Sequence, residues 1–296
     1  FAHADVLSGN QADNNRPGGI AVFEDSSATL VQSNIIRNSK QNGLIVQKRS
    51  SVDTVSGNQV AGSGLAGIFV DNSSSVDTIA DNQVNDNGNC SDCTAAKGGL
   101  AILGDSAVQS VHGNSFDRNS LGMQIANGST AASITESSFD ANASGGILVR
   151  QGSSIPDFSF NTVRNNGGQT SVSIDDSTGH IDQCDISSTE GAGISVYAAS
   201  SLTIENSTIA DAPLDGLAVF EASTLTLRSV HVLDNGGAGV LASGSDTSVS
   251  IEGGEVKGNQ SYGLNAQNGA SISCSGSTVV SGNTPAQTLG GVSGCN

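Results

Sequence analysis

Tryptophan is absent from this chain, methionine occurs once, and aromatic residues make up only 3% of its 296 positions. A globular core of that size normally uses more large side chains. The interior must therefore be thin and lined by Ile, Val, Leu and Ala. Basic residues are scarce as well: 11 Lys and Arg against 28 Asp and Glu give a formal net charge of −17. That balance argues against DNA, RNA and anionic membranes as partners, which need a basic surface. It also disfavours polyanionic sugars unless a divalent cation bridges them, and it fits a secreted protein kept soluble by its acidity. There is no run of eighteen apolar residues, hence no transmembrane helix. The chain opens at Phe1 with neither an initiator Met nor a signal peptide, which reads as a processed or excised form.

What is plentiful is glycine, with 38 residues, together with Ser, Asn, Asp and Thr. Hydrophobic residues at 36% are too many and too regularly placed for disorder. Five cysteines are present: Cys90, Cys93, Cys184, Cys274 and Cys295. Two local disulfides are expected, Cys90–Cys93 and Cys274–Cys295, leaving Cys184 over. A lone Cys-x-x-Cys without a second pair or a His cluster does not make a zinc site. A disulfide stapling a loop implies an oxidising compartment.

The dominant signal is repetition. Glycines recur at Gly19, Gly43, Gly67, Gly99, Gly122, Gly146, Gly193, Gly216, Gly239 and Gly263, mostly 23 or 24 residues apart. One longer step contains an insertion; another spans two repeats, with Ser171 standing where a Gly would fall. After each Gly comes an apolar residue (Ile20, Leu44, Ile68 and so on to Leu264), and two residues later another (Val22, Val46, Val70 onward). Alternation of period two marks a strand with one buried face. A second apolar pair follows, as in Val52 and Val55, and then an Asn with an apolar residue two positions on, as in Asn58 and Val60. Each repeat thus holds three short strands. If every strand pairs with its counterpart one repeat later, about 4.8 Å away, the chain is all-β: a right-handed parallel β-helix of about eleven coils of 22–25 residues. The recurring Asn is expected to face inward at a turn and to bond the Asn above and below.

The motif Gly-φ-x-φ, a Ser- or Asn-rich turn, then φ-x-x-φ-x-x-Asn-x-φ (φ apolar) is carried almost unchanged by "GLIVQKRSSVDTVSGNQV" at 43–60 and "GIFVDNSSSVDTIADNQV" at 67–84. These coils resemble the parallel β-helix repeats of the pectate-lyase-like superfamily, and their texture is most similar to secreted bacterial members. The resemblance implies the fold. It does not imply one activity, because lyases, hydrolases, epimerases, tailspikes and adhesins share it.

The pattern predicts a partial first coil over 1–18, the β-helix proper over 19–283 with a loop insertion at 85–98, and a covering tail over 284–296. An uncapped first coil would expose unpaired backbone groups, so self-association through the coil ends is one expectation.

In the superfamily, grooves lie along the outer face of one sheet. The outward positions of the first strand place Arg150, Asp175, Asp176, Tyr197, Phe220 and Glu221 on successive coils. Tyr197, Phe220 and Glu221 would contact a sugar, with His180 nearby. Asp175 and Asp176, with Arg150, are the candidate catalytic groups, since glycoside hydrolysis uses paired carboxylates. Asp175-Asp176 and Gly179-His180 faintly resemble two polygalacturonase motifs, but the Asn-Thr-Asp and Arg-Ile-Lys that accompany them there are missing. Lyase chemistry would draw its base from Lys48, Arg49 or Arg150. No cofactor is called for; calcium is the one ion with nameable ligands, at Asp53, Asp77 and Asp71. His3, His112, His180 and His231 show no metal spacing. The leading reading is a secreted or cell-surface structural, adhesin-like or self-assembling module with a capacity for glycans. The alternative is a polysaccharide lyase or glycoside hydrolase.

Overall fold

The computed structural model describes residues 2–90, 96–188 and 190–295. Its elements there are short strands joined by turns, and they fall into two compact units, residues 1–156 and 157–296.

In the first unit, three sets of parallel strands form three walls. The first wall holds Ile20–Phe23, Leu44–Gln47, Ala66–Asp71, Gly98–Ile102, Met123–Ile125 and Ile147–Arg150. Its register sets Ile20 beside Leu44, Leu44 beside Ile68, Ile68 beside Leu100, and Leu100 beside Met123. The apolar residues spaced along the sequence are therefore stacked columns in space. Leu44, Ile68 and Met123 are fully buried, and each such side chain taken out of water contributes about 1.5–3 kcal/mol. The second wall runs from His3–Ser8 through Ser27–Gln32, Ser51–Ser56, Ser75–Ala80 and Ala107–His112 to Thr130–Thr135. The third is built from Gln11–Asp13, Ile35–Arg37, Gln59–Ala61 and Gln83–Asn85. Beyond them Phe116 and Phe139 fill the same inward column and stack at 5.3 Å.

At Gly43, before the strand Leu44–Gln47, the coils come too close for a side chain. A Cβ on Gly43 would lie 2.3 Å from Val60 Cγ1 and 2.6 Å from the Gly67 carbonyl, well inside contact distance.

The second unit repeats the plan. Its first wall holds Thr170–Asp175, Ala192–Tyr197, Leu217–Phe220, Val240–Ser243, Leu264–Gln267 and Thr288–Gly290. Its second wall runs from Thr178–Asp182 to Val292–Ser293, and its third from Thr162–Asn166 to Val279–Ser281. Where Ser171 replaces the glycine, its hydroxyl donates to the Ser187 carbonyl, and the neighbouring Thr162–Asn166 strand carries a register shift. Residues 284–296, expected to cover the last coil, supply two more parallel strands and the Cys274–Cys295 disulfide. Cys93 lies outside the described residues, and the expected Cys90–Cys93 pairing with it.

The corners between walls are held by polar side chains. At the corner joining second and third walls in the first unit, Asn58 Oδ1 accepts from the backbone N–H and the side-chain amide of Asn34. Asn58 Nδ2 donates to Asn82 Oδ1 and to the Val31 carbonyl. The buried amide of Asn58 is thereby satisfied by the coils above and below.

Candidate functional site

Along the outer face of the second unit's first wall, Asp175 pairs in register with Tyr197, and Phe220 ends the next strand, Leu217–Phe220. All three are half-buried. The Tyr197 hydroxyl lies 3.1 Å from Ser173 Oγ, accepting the bond the serine donates, which pins the ring against the wall. Asp176 and Glu221 are exposed turn residues with left-handed φ of 46° and 55°. His180 belongs to the second wall, where it pairs with Thr203 and its Nε2 stands 3.8 Å from Glu205. Glu205 is in turn held by Arg228 at 2.6 Å. The structure thus brings Asp175, Tyr197 and Phe220 onto one wall, and sets His180 on another. Arg150 belongs to the first unit, at the end of Ile147–Arg150.

The other cations considered for chemistry are already engaged. Lys48 pairs with Glu24 at 2.8 Å and lies over the Phe23 ring. Arg49 grips Asp25 with two bonds of 2.7 Å, and that guanidinium holds the Asp25 carboxyl below its ordinary value. Asp71 accepts from Gln47.

A concave feature of the second unit lies where the third wall turns into the first. Here an open groove of about 570 Å³ runs across the coils, within the range of ligand sites. Its floor is first-wall backbone and the small side chains Ala192, Ser195 and Ala218; Phe220 and Leu214 give it apolar sides, and Glu190 and Asp215 its charge. Leu214 is 55% exposed, a large apolar side chain held out in water at the groove edge. Glu190 accepts from the Gly168 N–H at 2.9 Å. Asp215 accepts from the Ala238 N–H at 2.7 Å, and burial pushes its carboxyl above the ordinary value even though that bond acts in the opposite sense. Phe220 and Asp215 thus share one cleft with a second carboxylate, an arrangement able to hold polar hydroxyls and one apolar ring face together.

Glu190, Leu214 and Asp215 escape a search confined to strand residues, because they sit in the preceding turn. A signal was present nonetheless. The residue just before the repeat glycine is Gly18, Asn42, Ala66, Gly98, Leu121, Gly145, Ala192, Ala238 or Tyr262 in other coils, and a charged residue, Asp215, in this one.

Among the described residues, no group of three or more His, Cys, Asp or Glu is placed to hold a metal ion. Met123 is fully buried. The Cys184 thiol is buried, donates toward the Phe158 and Asp182 carbonyls, and is pushed up to about 12 by that burial.

Comparison with known proteins follows the same division of the chain. A family profile described as the periplasmic copper-binding protein NosD matches residues 1–132. A search of curated proteins finds no match. Among solved structures, a double mutant of the periplasmic alginate epimerase AlgG aligns with a TM-score of 0.60 at 12% identity, over 91% of this chain and 77% of that one. A single mutant of the same enzyme aligns with a TM-score of 0.59 at 13% identity, over 96% and 76%. At such identities the likeness is one of fold. A second profile, described as the right handed beta helix region, matches residues 146–295. With that profile spanning half of the sequence, and three parallel walls in each unit, the chain belongs to the right-handed β-helix family.

Proposed function

We propose that this protein is a periplasmic or extracellular glycan-binding β-helix, and that the glycan lies in the groove formed by Glu190, Leu214, Asp215 and Phe220. The groove carries this reading: it combines an apolar platform with fixed hydroxyl acceptors, the two things a sugar ring presents partners for. The location is supported by the Cys274–Cys295 disulfide, which persists in oxidising compartments, and by the periplasmic description of the NosD profile. The AlgG neighbours, named as alginate epimerases, support a polysaccharide as the ligand class. Binding of the full chain to an array of oligosaccharides tests it. A bound glycan whose affinity falls about tenfold in Phe220→Ala is expected; no bound glycan of any kind would remove the reading.

A second reading, a polysaccharide-active enzyme, is favoured by one observation: the Asp215 carboxyl is raised by burial and shares its groove with Glu190. A group raised in this way can act as a proton donor. Turnover of a bound glycan that disappears in Asp215→Asn, with binding retained, would establish it; bound glycan recovered unchanged would exclude it.

A further inference from the structure

The charge of the groove narrows the ligand beyond the glycan reading on which this inference rests. Glu190 and Asp215 are the charged residues lining it among the described residues, and no Lys, Arg or His lines it there. The cations of the second unit are committed elsewhere: Arg228 to Glu205 and Glu252, Lys257 to Glu255, and Arg164 to Asp185. The whole chain adds a net charge of −17, a field that repels an approaching polyanion. A polyuronate places one carboxylate on every sugar. Seating it here would set like charges together in a partly desolvated cleft, with no cation to answer them.

We infer that the groove takes a glycan without acidic groups, a neutral chain whose hydroxyls donate to Glu190 and Asp215 while one ring face lies on Phe220. Each carboxylate is already steadied by a backbone N–H, from Gly168 and from Ala238. Each is thereby fixed in orientation and keeps acceptor capacity for a sugar hydroxyl. Leu214 extends the apolar side toward the neighbouring sugar. The specificity is thus opposite in charge to that of the alginate-processing proteins that share the fold.

Isothermal titration of the full chain against two sets of oligosaccharides of equal length tests this. One set is neutral (β-glucan, xylan and mannan fragments); the other is acidic (oligomannuronate and oligogalacturonate). Each is measured in EDTA and again with added calcium. Binding of a neutral oligosaccharide at least about tenfold tighter than any acidic one is expected, with a loss of about tenfold in both Phe220→Ala and Leu214→Ser. Leu214 is exposed, so its variant reports on the groove even if the Phe220 variant is poorly folded. Acidic oligosaccharides binding as tightly as neutral ones or tighter, with or without calcium, would overturn the inference and leave glycan binding standing. Neutral binding untouched by both substitutions would overturn the assignment to this groove. No binding of either set would overturn the glycan reading itself.

Discussion

The two units solve the same corner with different side chains. Where second wall meets third, the first unit stacks Asn10, Asn34, Asn58, Asn82 and Asn114, the first four amides each donating to the Asn of the next coil. The second unit keeps the buried Asn161 at this corner and then places Cys184, Ser207 and Val230 at equivalent positions, and the Cys184 N–H donates to Ser207 Oγ. Its continuous amide stack lies at the other corner, where Asn235, Asn259 and Asn283 bond in sequence. The second walls differ too. In the first unit two outward residues separate the buried pair, as in Val52 and Val55, and the paired register passes over Asp53 and Asp77. In the second unit Leu202 and Ile204, Leu225 and Leu227 alternate strictly, and every residue is in register. The same architecture therefore tolerates a bent or a straight wall, provided the inward columns stay filled and each bend finds partners for its backbone.

The sharpest way to break this comparison is to remove one member of each corner. Asn58 is fully buried and serves both the coil above and the coil below, so Asn58→Ala leaves several groups unsatisfied and is expected to cost about 4 kcal/mol. Cys184→Ala deletes one weak donor and is expected to cost about 1 kcal/mol. Urea denaturation of both variants measures the difference; equal losses would show that the two corners are equivalent. Next in size is the staple of the second unit. Opening Cys274–Cys295, which closes a separation of 21 residues, in Cys295→Ser is expected to remove about 3 kcal/mol by loop entropy. Hydrogen exchange should speed up in Thr288–Gly290 and Val292–Ser293 and remain slow in the first unit. Unchanged exchange in those two strands would mean that stacking alone holds the last coil.

An effect confined to alkaline pH also separates the units. Burial raises the Cys184 thiol from 9.0 to about 12. Because its folded value lies above its unfolded one, the stability it contributes is complete below about pH 9 and is lost as pH rises through about 12. Cys184→Ala should therefore flatten the alkaline limb of a stability curve between those values, whereas Asn58→Ala should lower the whole curve without changing its shape. Superimposable wild-type and Cys184→Ala curve shapes would refute this. Smallest of all is the surface. Arg49→Gln breaks an exposed pair with Asp25 and should leave the urea midpoint unchanged; a clear shift would show that this turn contributes to the stability of the first unit.

How much of this was legible in advance depends on whether a position repeats. Ile20, Leu44 and Ile68 fall in one column because hydrophobicity and spacing recur together, and the structure stacks them in register. Asn58 could be assigned to an inward turn for the same reason. Asp175, Tyr197 and Phe220 could be placed on an outer face by counting from the glycine, since side chains alternate along a strand. His180 could not be assigned to a wall by nearness in sequence: the chain turns a corner between Asp175 and Thr178, and five residues carry it onto another face. Glu190, Leu214 and Asp215 were harder still, because turns vary from coil to coil and sequence periodicity is silent about where their side chains converge.

The sequence by itself determined that the chain coils with a period of 23 or 24 residues, which residues point inward, and that its surface is acidic. Burial of apolar side chains is set by local alternation, and local alternation is written in order along the chain. The tertiary structure alone decided that Asp215, Phe220 and Glu190 border one cleft. Glu190 comes from one coil and Asp215 with Phe220 from the next, so their meeting depends on register and on the path of each corner, quantities fixed only when one coil has settled against the next.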